Sequence, residues 1–345
     1  MQARFKRVVL AAAIIAAFGT MLAYVGLASG AGKIQIAEFY YNPSPYGIAS
    51  YKAAVTEGNK LGAQVTTFDG NNVPQTQTTQ MTDAITTGKY KGFWVWALDG
   101  VSAVPTIKAA EAKGIKVAIA DYTLGDLNAE LQLNPTPGLV STIGQPIQGE
   151  NVALVTVIKA ACAKAVGVGK PCNVAFMPGL ANYPTDTIRI DYMQKAFATG
   201  PIKFNLTPIG DYDQPTSQKV ALTYFQSKPN IQVFGSFGDQ MTQGAITAFK
   251  QLGIVPGKNI QVFGYGGTNE LLAEVKAGTV FATLGLYPAY ESTVGIKDLV
   301  AAIQGKKVPD VVNVINKNHP IILNAAFLKS NPNYKPDWDL SGNPG

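Results

Sequence analysis

Aromatic side chains gather where this chain of 345 residues turns from one element into the next. Tyr40, Tyr41 and Tyr46 flank the turn Asn42-Pro43-Ser44-Pro45, and Trp96, Tyr122, Tyr183, Phe237, Tyr265 and Tyr287 sit at or just past the ends of other expected strands. Such rings offer flat apolar faces, and tyrosine adds a hydroxyl, which suits holding a small molecule by stacking and hydrogen bonding. Asp121 closes an apolar run, where a carboxylate is costly without a partner, so it reads as a ligand group or a helix cap. Tyr46 is a ligand platform or an ordinary turn aromatic. Trp94 and Trp96 alternate on one strand and face one side; Trp94 reads as core, while Trp96 lies between core and cleft. Tyr265 and Tyr287 divide between cleft and packing, and Asp239 between helix cap and ligand contact.

Other chemistries lack their residues. One histidine, His319, no Gly-x-Ser-x-Gly elbow and no motif of paired carboxylates argue against a hydrolase. Cys162, Cys172 and His319 are too few for a metal site, and none is expected. Gly167-Val168-Gly169-Lys170 lacks the first glycine of a phosphate loop and has Pro171 in place of Ser or Thr. Gly264-Tyr265-Gly266-Gly267 lacks the third glycine of a dinucleotide fingerprint. No cofactor is expected.

The elements that must position these groups alternate regularly. The apolar run Ile34–Phe39 reads as a buried strand, and apolar positions at helical spacing follow the proline break up to Lys60-Leu61-Gly62. Strands are expected at Ala63–Phe68, Gly92–Ala97 and Ile115–Ala120, with helices between. After Asn134-Pro135-Thr136-Pro137-Gly138 a second series starts near Leu139–Thr142 and runs to a strand at Thr279–Gly285 and a helix at Ala289–Ile303. Such series imply α/β architecture with parallel sheets covered on both faces. Ligands of open α/β sheets sit beyond the carboxyl ends of the strands, which is where the first turn and its tyrosines lie. Two doubly wound lobes are therefore expected: 33–140 plus 287–315, and 141–286 plus 316–330. Crossovers between them would form a multi-stranded hinge around a cleft, and 331–345 is left as a tail.

Length favours two domains, and 14% charged residues with 35 Gly and 21 Pro indicate a globular chain. Of the formal charge of +6, three come from Arg4, Lys6 and Arg7, and no basic aromatic-rich run follows, so nucleic acid is not an expected partner. Those three cations precede the uncharged stretch Val8–Leu27 and the small residues Ala28-Ser29-Gly30-Ala31. Residues 1–31 thus read as an export signal or, given the length of the apolar stretch, a retained anchor. The body is expected outside the cytoplasm. In that compartment Cys162 and Cys172, ten positions apart, suit a disulfide, the alternative being two buried thiols.

In order and spacing, five segments resemble the periplasmic binding proteins of the ribose-binding type, which serve ABC importers. They are Ser44-Pro45-Tyr46, Asn71-Asn72-Val73-Pro74, the run Ile115 to Asp121, Arg189 in a helix ending Gln194-Lys195-Ala196-Phe197, and Gly264-Tyr265-Gly266-Gly267-Thr268. The resemblance covers nearly everything after Lys33. It implies two Rossmann-like lobes joined by a three-segment hinge (the type I arrangement), enclosing a small polar ligand between aromatic rings. On this pattern Tyr46 matches a stacking aromatic of the first lobe, Asp121 an acid gripping hydroxyls, Arg189 the arginine of the second lobe, and Tyr212 its stacking aromatic.

The chain also departs from that pattern. Gly266 stands where sugar binders carry an Asp, Leu286 where they carry an amide, and the family's second-lobe asparagine falls near Gly238 and Asp239. Lost hydroxyl partners favour a ligand with more apolar or aromatic surface and one anionic or polar end. The expected contacts are Tyr41, Ser44, Tyr46, Trp96, Asp121, Tyr122, Arg189, Tyr212, Phe237, Asp239, Tyr265, Gly266 and Tyr287. The resemblance implies a monomeric periplasmic protein delivering its small molecule to an ABC permease in the inner membrane. The alternative is a sensor subunit presenting its ligand-bound state to a membrane histidine kinase or chemoreceptor.

Overall fold

The computed structural model describes residues 32–121, 124–125, 133, 136–181, 183–227 and 230–345. The expected export segment 1–31, Tyr122, and Asn134 and Pro135 of the proline-rich passage lie outside them.

The first series runs β1 (Ile34–Tyr40), α1 (Pro45–Lys60), β2 (Ala63–Asp69), α2 (Pro74–Thr87), β3 (Gly92–Val95), α3 (Gly100–Ala112), β4 (Lys116–Ala120) and β5 (Ser141–Gly144). The second runs α4 (Ile147–Val166), β6 (Cys172–Met177), α5 (Pro184–Ala196), β7 (Ile202–Leu206), α6 (Gln214–Ser227), β8 (Val233–Ser236), α7 (Asp239–Gln251), β9 (Gln261–Gly266), α8 (Asn269–Ala277) and β10 (Ala282–Gly285). Then follow α9 (Pro288–Ile303), β11 (Val311–Asn313), β12 (Ile322–Asn324) and α10 (Ala325–Ser330).

These strands make two sheets, β2-β1-β3-β4-β5-β11 and β7-β6-β8-β9-β10-β12. The first is wholly parallel; in the second only β12 runs antiparallel, against β10. Strand alternation divides the first lobe's core. Ile36, Trp94 and Ala118 pack with Ile296 and Leu299 on the α9 side, while Phe39, Phe93, Val95 and Ile119 pack with Met81 and Ile107 on the other. Covered on both faces, β3 is apolar throughout, as parallel strands tend to be, whereas β1 carries the buried Glu38. A phenylalanine cluster, Phe176, Phe234, Phe237, Phe249 and Phe263, fills the second lobe.

One boundary is corrected. Residues 141–144, expected in the second lobe, form β5, which pairs with β4 through Ala118↔Ser141 to Ala120↔Ile143 and so extends the first sheet. The chain then crosses between the sheets at 145–146, 286–287 and 314–321. A disulfide joins Cys162 on α4 to Cys172 at the start of β6, with Cα atoms 5.8 Å apart. The tail is structured as well: Asp339 accepts from the amides of Ser341 and Asn343, folding 337–345 into a tight loop.

Candidate functional site

Ser44 begins the site. Its hydroxyl accepts from Gly47 N at 3.3 Å and Pro45 supplies a preset φ, so α1 starts abruptly and carries Tyr46 on its first turn. There the Tyr46 ring stacks on Tyr41, with centroids 5.9 Å apart and planes 13° from parallel. Trp96 meets both edge-on, at 5.4 Å from Tyr46 and 5.9 Å from Tyr41. Asp121, just past β4, adopts a left-handed φ of 66°, which Asp tolerates better than most residues. Its backbone lies so close to Gly144 that a Cβ there would fall 2.6 Å from Asp121 Cα, so this approach requires glycine. The Tyr46 hydroxyl points at Asp121 Oδ2 from 3.5 Å.

The facing wall comes from the second lobe. Tyr212 lies between β7 and α6, and its hydroxyl donates to Asp186 Oδ1 at 2.7 Å. Asp186 Oδ2 accepts from Gly179 N and Leu180 N, each at 3.0 Å, which holds the loop after β6 against that ring. Arg189, on α5, spends its Nε and Nη2 on Glu150 Oε2 of α4 at 2.9 and 2.5 Å, and Asp186 stands 3.9 Å away. Its guanidinium lies over Tyr265 at 5.0 Å and Phe237 at 5.6 Å.

Between these walls is a cavity of about 70 Å³. Of the expected contacts, Tyr41, Ser44, Tyr46, Asp121, Arg189, Tyr212, Phe237 and Tyr265 all line it. Tyr183 and Leu286 line it as well.

Four others do not. Trp96 is buried behind Tyr41 and Tyr46 and orients them. Asp239 opens α7 below the site, where it accepts from Thr268 N, Thr268 Oγ1 and Thr283 Oγ1 at 2.8, 2.9 and 2.8 Å. Gly266 lies directly over that carboxylate, where a Cβ would come within 2.8 Å of it. Tyr287 turns into the crossover, donating to Pro320 O at 2.6 Å beside the His319 ring.

Sequence reasoning missed several lining residues. Asn42, Asn72, Leu98 and Leu180 come from loops after strands, Gln240 from the first turn of α7, and Trp338 from the tail. Its indole donates to Gly266 O at 3.0 Å and Leu286 O at 3.2 Å, and its ring meets Tyr46 edge-on at 5.6 Å. Glu150 on α4 and Glu291 on α9, both buried, were missed too.

The electrostatics are acidic. Burial, reinforced by Asp121 and then Asp337, pushes Glu291 well above the usual carboxylate range. Burial also raises Asp186, with Arg189 opposing, and lifts Tyr41 and Tyr212 well above the ordinary tyrosine value. Arg189 already faces two carboxylates. Among the described residues no cluster of three or more His, Cys, Asp or Glu could hold a metal ion.

Two doubly wound lobes enclosing an aromatic cavity at their strand ends define a bilobal solute-binding architecture. The chain belongs to the periplasmic binding protein family, whose domain model matches residues 39–307. It is 22% identical over 267 residues to the ribose import binding protein of Salmonella typhimurium, covering 77% of this chain and 83% of the relative. To the galactofuranose-binding protein of Escherichia coli it is also 22% identical, with 82% and 85% covered. A solute-binding protein from Actinobacillus succinogenes, solved with bound D-allose, superposes with a TM-score of 0.71 at 21% identity, covering 86% of this chain and all of that one.

Proposed function

We propose that this protein captures a small, neutral, hydroxyl-bearing molecule with one apolar face and delivers it to an ABC permease in the inner membrane. The observation that carries this is that Arg189, which lines the aromatic cavity, is already paired with the buried Glu150 behind it. Of the two ligand ends that the sequence leaves open, the polar neutral one is favoured. An anion entering here would meet Asp121 and a cation already paired with Glu150, among buried groups where like charges repel strongly. A hydroxylated ring instead stacks between Tyr46 and the Phe237 side while its hydroxyls reach Asp121 and the arginine pair.

The relatives' names, which include import and galactofuranose binding, support a sugar-like solute and an importer. The Cys162–Cys172 disulfide supports an oxidising, extracytoplasmic compartment, and no described helix is long and apolar enough to cross a membrane. Calorimetric titration of the purified protein with neutral pentoses, hexoses, furanosides and polyols tests the reading. At least one should bind below millimolar concentration, with acidic sugars binding more weakly. A panel without any such binder overturns it.

A further inference from the structure

The tail from Tyr334 to Gly345 lies beyond the part of the chain that matches the family's domain model, yet it supplies Trp338 to the cavity. We propose that this segment is a strap: it fastens one lobe to the other across the cleft, and its Trp338 is a ligand-contacting wall of the site. That second half rests on the solute-binding reading above.

The attachments fall on both sides. On the first lobe, the Trp338 ring meets Tyr46, Lys52 Nζ donates to Asn343 Oδ1 at 2.9 Å, and the Asp337 carboxylate accepts from Ala289 N at 2.8 Å at the start of α9. Gly342, at φ 71°, is seated on α1: a Cβ there would fall 2.5 Å from the Ile48 side chain. On the second lobe, the Trp338 indole donates to Gly266 O, Asn269 N donates to Trp338 O at 3.2 Å, and Leu340 N donates to Glu270 Oε2 at 3.0 Å.

The indole is 2% exposed, so separating the lobes means uncovering a ring and breaking one set of hydrogen bonds. A ring fixed on the second lobe and touching the first lobe's Tyr46 helps fix both walls before a solute arrives, lowering the ordering cost of binding. With its N–H donated to Gly266 O and Leu286 O, the indole offers apolar surface to the cavity. The ligand class this predicts has a hydrophobic edge, such as a deoxy or methylene carbon, directed at Trp338.

Spin labels on Cys introduced at exposed Lys113 and Lys258, one per lobe, give the interlobe distance in the full chain without added solute. The parent should show one narrow distribution. Trp338→Ala combined with Asn343→Ala should broaden it toward longer distances, while cooperative unfolding shows that the fold survives. An unchanged distribution overturns the strap. If the double variant does not fold, Lys52→Ala with Glu270→Ala weakens both attachments from outside the cavity and must give the same broadening. Against whichever neutral monosaccharide binds the parent, Trp338→Ala should lose affinity about tenfold or more and Trp338→Phe less. Equal affinity in Trp338→Ala overturns its role as a wall. Should the parent bind no sugar, the functional reading falls, while the distance measurement still decides the strap.

Discussion

Arg189 on α5 and Glu150 on α4 form a two-pronged ion pair, with Nε and Nη2 both on Oε2 and both side chains buried. Gln145 donates to the other oxygen of Glu150, and Asp186 flanks the guanidinium. Removing one partner strands a buried charge. Arg189→Met should cost about 3–5 kcal/mol, and adding Glu150→Gln should restore much of it. Urea denaturation of the two variants checks this; a double variant no more stable than Arg189→Met contradicts it.

Tyr46 and Tyr287 are both buried tyrosines near strand ends, but only Tyr46 lines the cavity. Tyr46→Ala should weaken solute binding about 10- to 100-fold through lost stacking area. Tyr287→Phe should leave affinity unchanged and lower stability by about 1–2 kcal/mol, because Pro320 O loses its donor. Parallel titration and unfolding separate the two roles, and a loss of affinity in Tyr287→Phe would contradict its placement.

Glu38, fully buried in β1, accepts from Ser50 Oγ at 3.0 Å with one oxygen and has no partner for the other. Burial raises its pKa from 4.5 to about 8. The folded state therefore holds a proton that the unfolded chain releases, and stability falls as pH climbs from about 4.5 to 8. Asp337, raised by burial to about 7, and Asp239, raised to about 6, act in the same direction. Thermal melts should give a higher Tm at pH 5 than at pH 8. Glu38→Gln should raise the Tm at pH 8 and flatten the slope; a wild-type Tm that rises with pH would refute the assignment.

The disulfide closes a loop with a sequence separation of 10. Loop-closure entropy assigns such a crosslink about 2–3 kcal/mol, so a Cys162→Ser, Cys172→Ser double variant should unfold at lower urea. Reductant should shift the parent's midpoint and not the variant's. Equal midpoints for parent and variant would remove the disulfide from the stability account.

Strand and helix alternation is legible because parallel strands covered on both faces are apolar throughout, as in Phe93-Trp94-Val95-Trp96. The first half of the site is legible for a local reason: Ser44 and Pro45 mark the start of a helix, and Tyr46 follows. What escapes is depth and distant partnership. Alternation places Trp94 and Trp96 on one side of β3 but does not show that Tyr41 and Tyr46 cover Trp96. The run 141–144 looks like any other strand, and only its hydrogen bonds to β4 assign it to the first sheet. Trp338 contacts Gly266, 72 positions earlier in the chain, from a segment whose Asn, Pro and Lys content reads as a loose tail.

The three crossovers have a mechanical consequence. All leave from corresponding edges: β5 and β11 are the last two strands of the first sheet, and β10 and β12 are the last two of the second. Two rigid bodies joined by flexures along one edge keep a single easy rotation and resist sliding past each other. Under the proposed solute-binding role, uptake into the cavity has that one rotation to act on, and a partner resting on both lobes would gauge an angle without touching the solute.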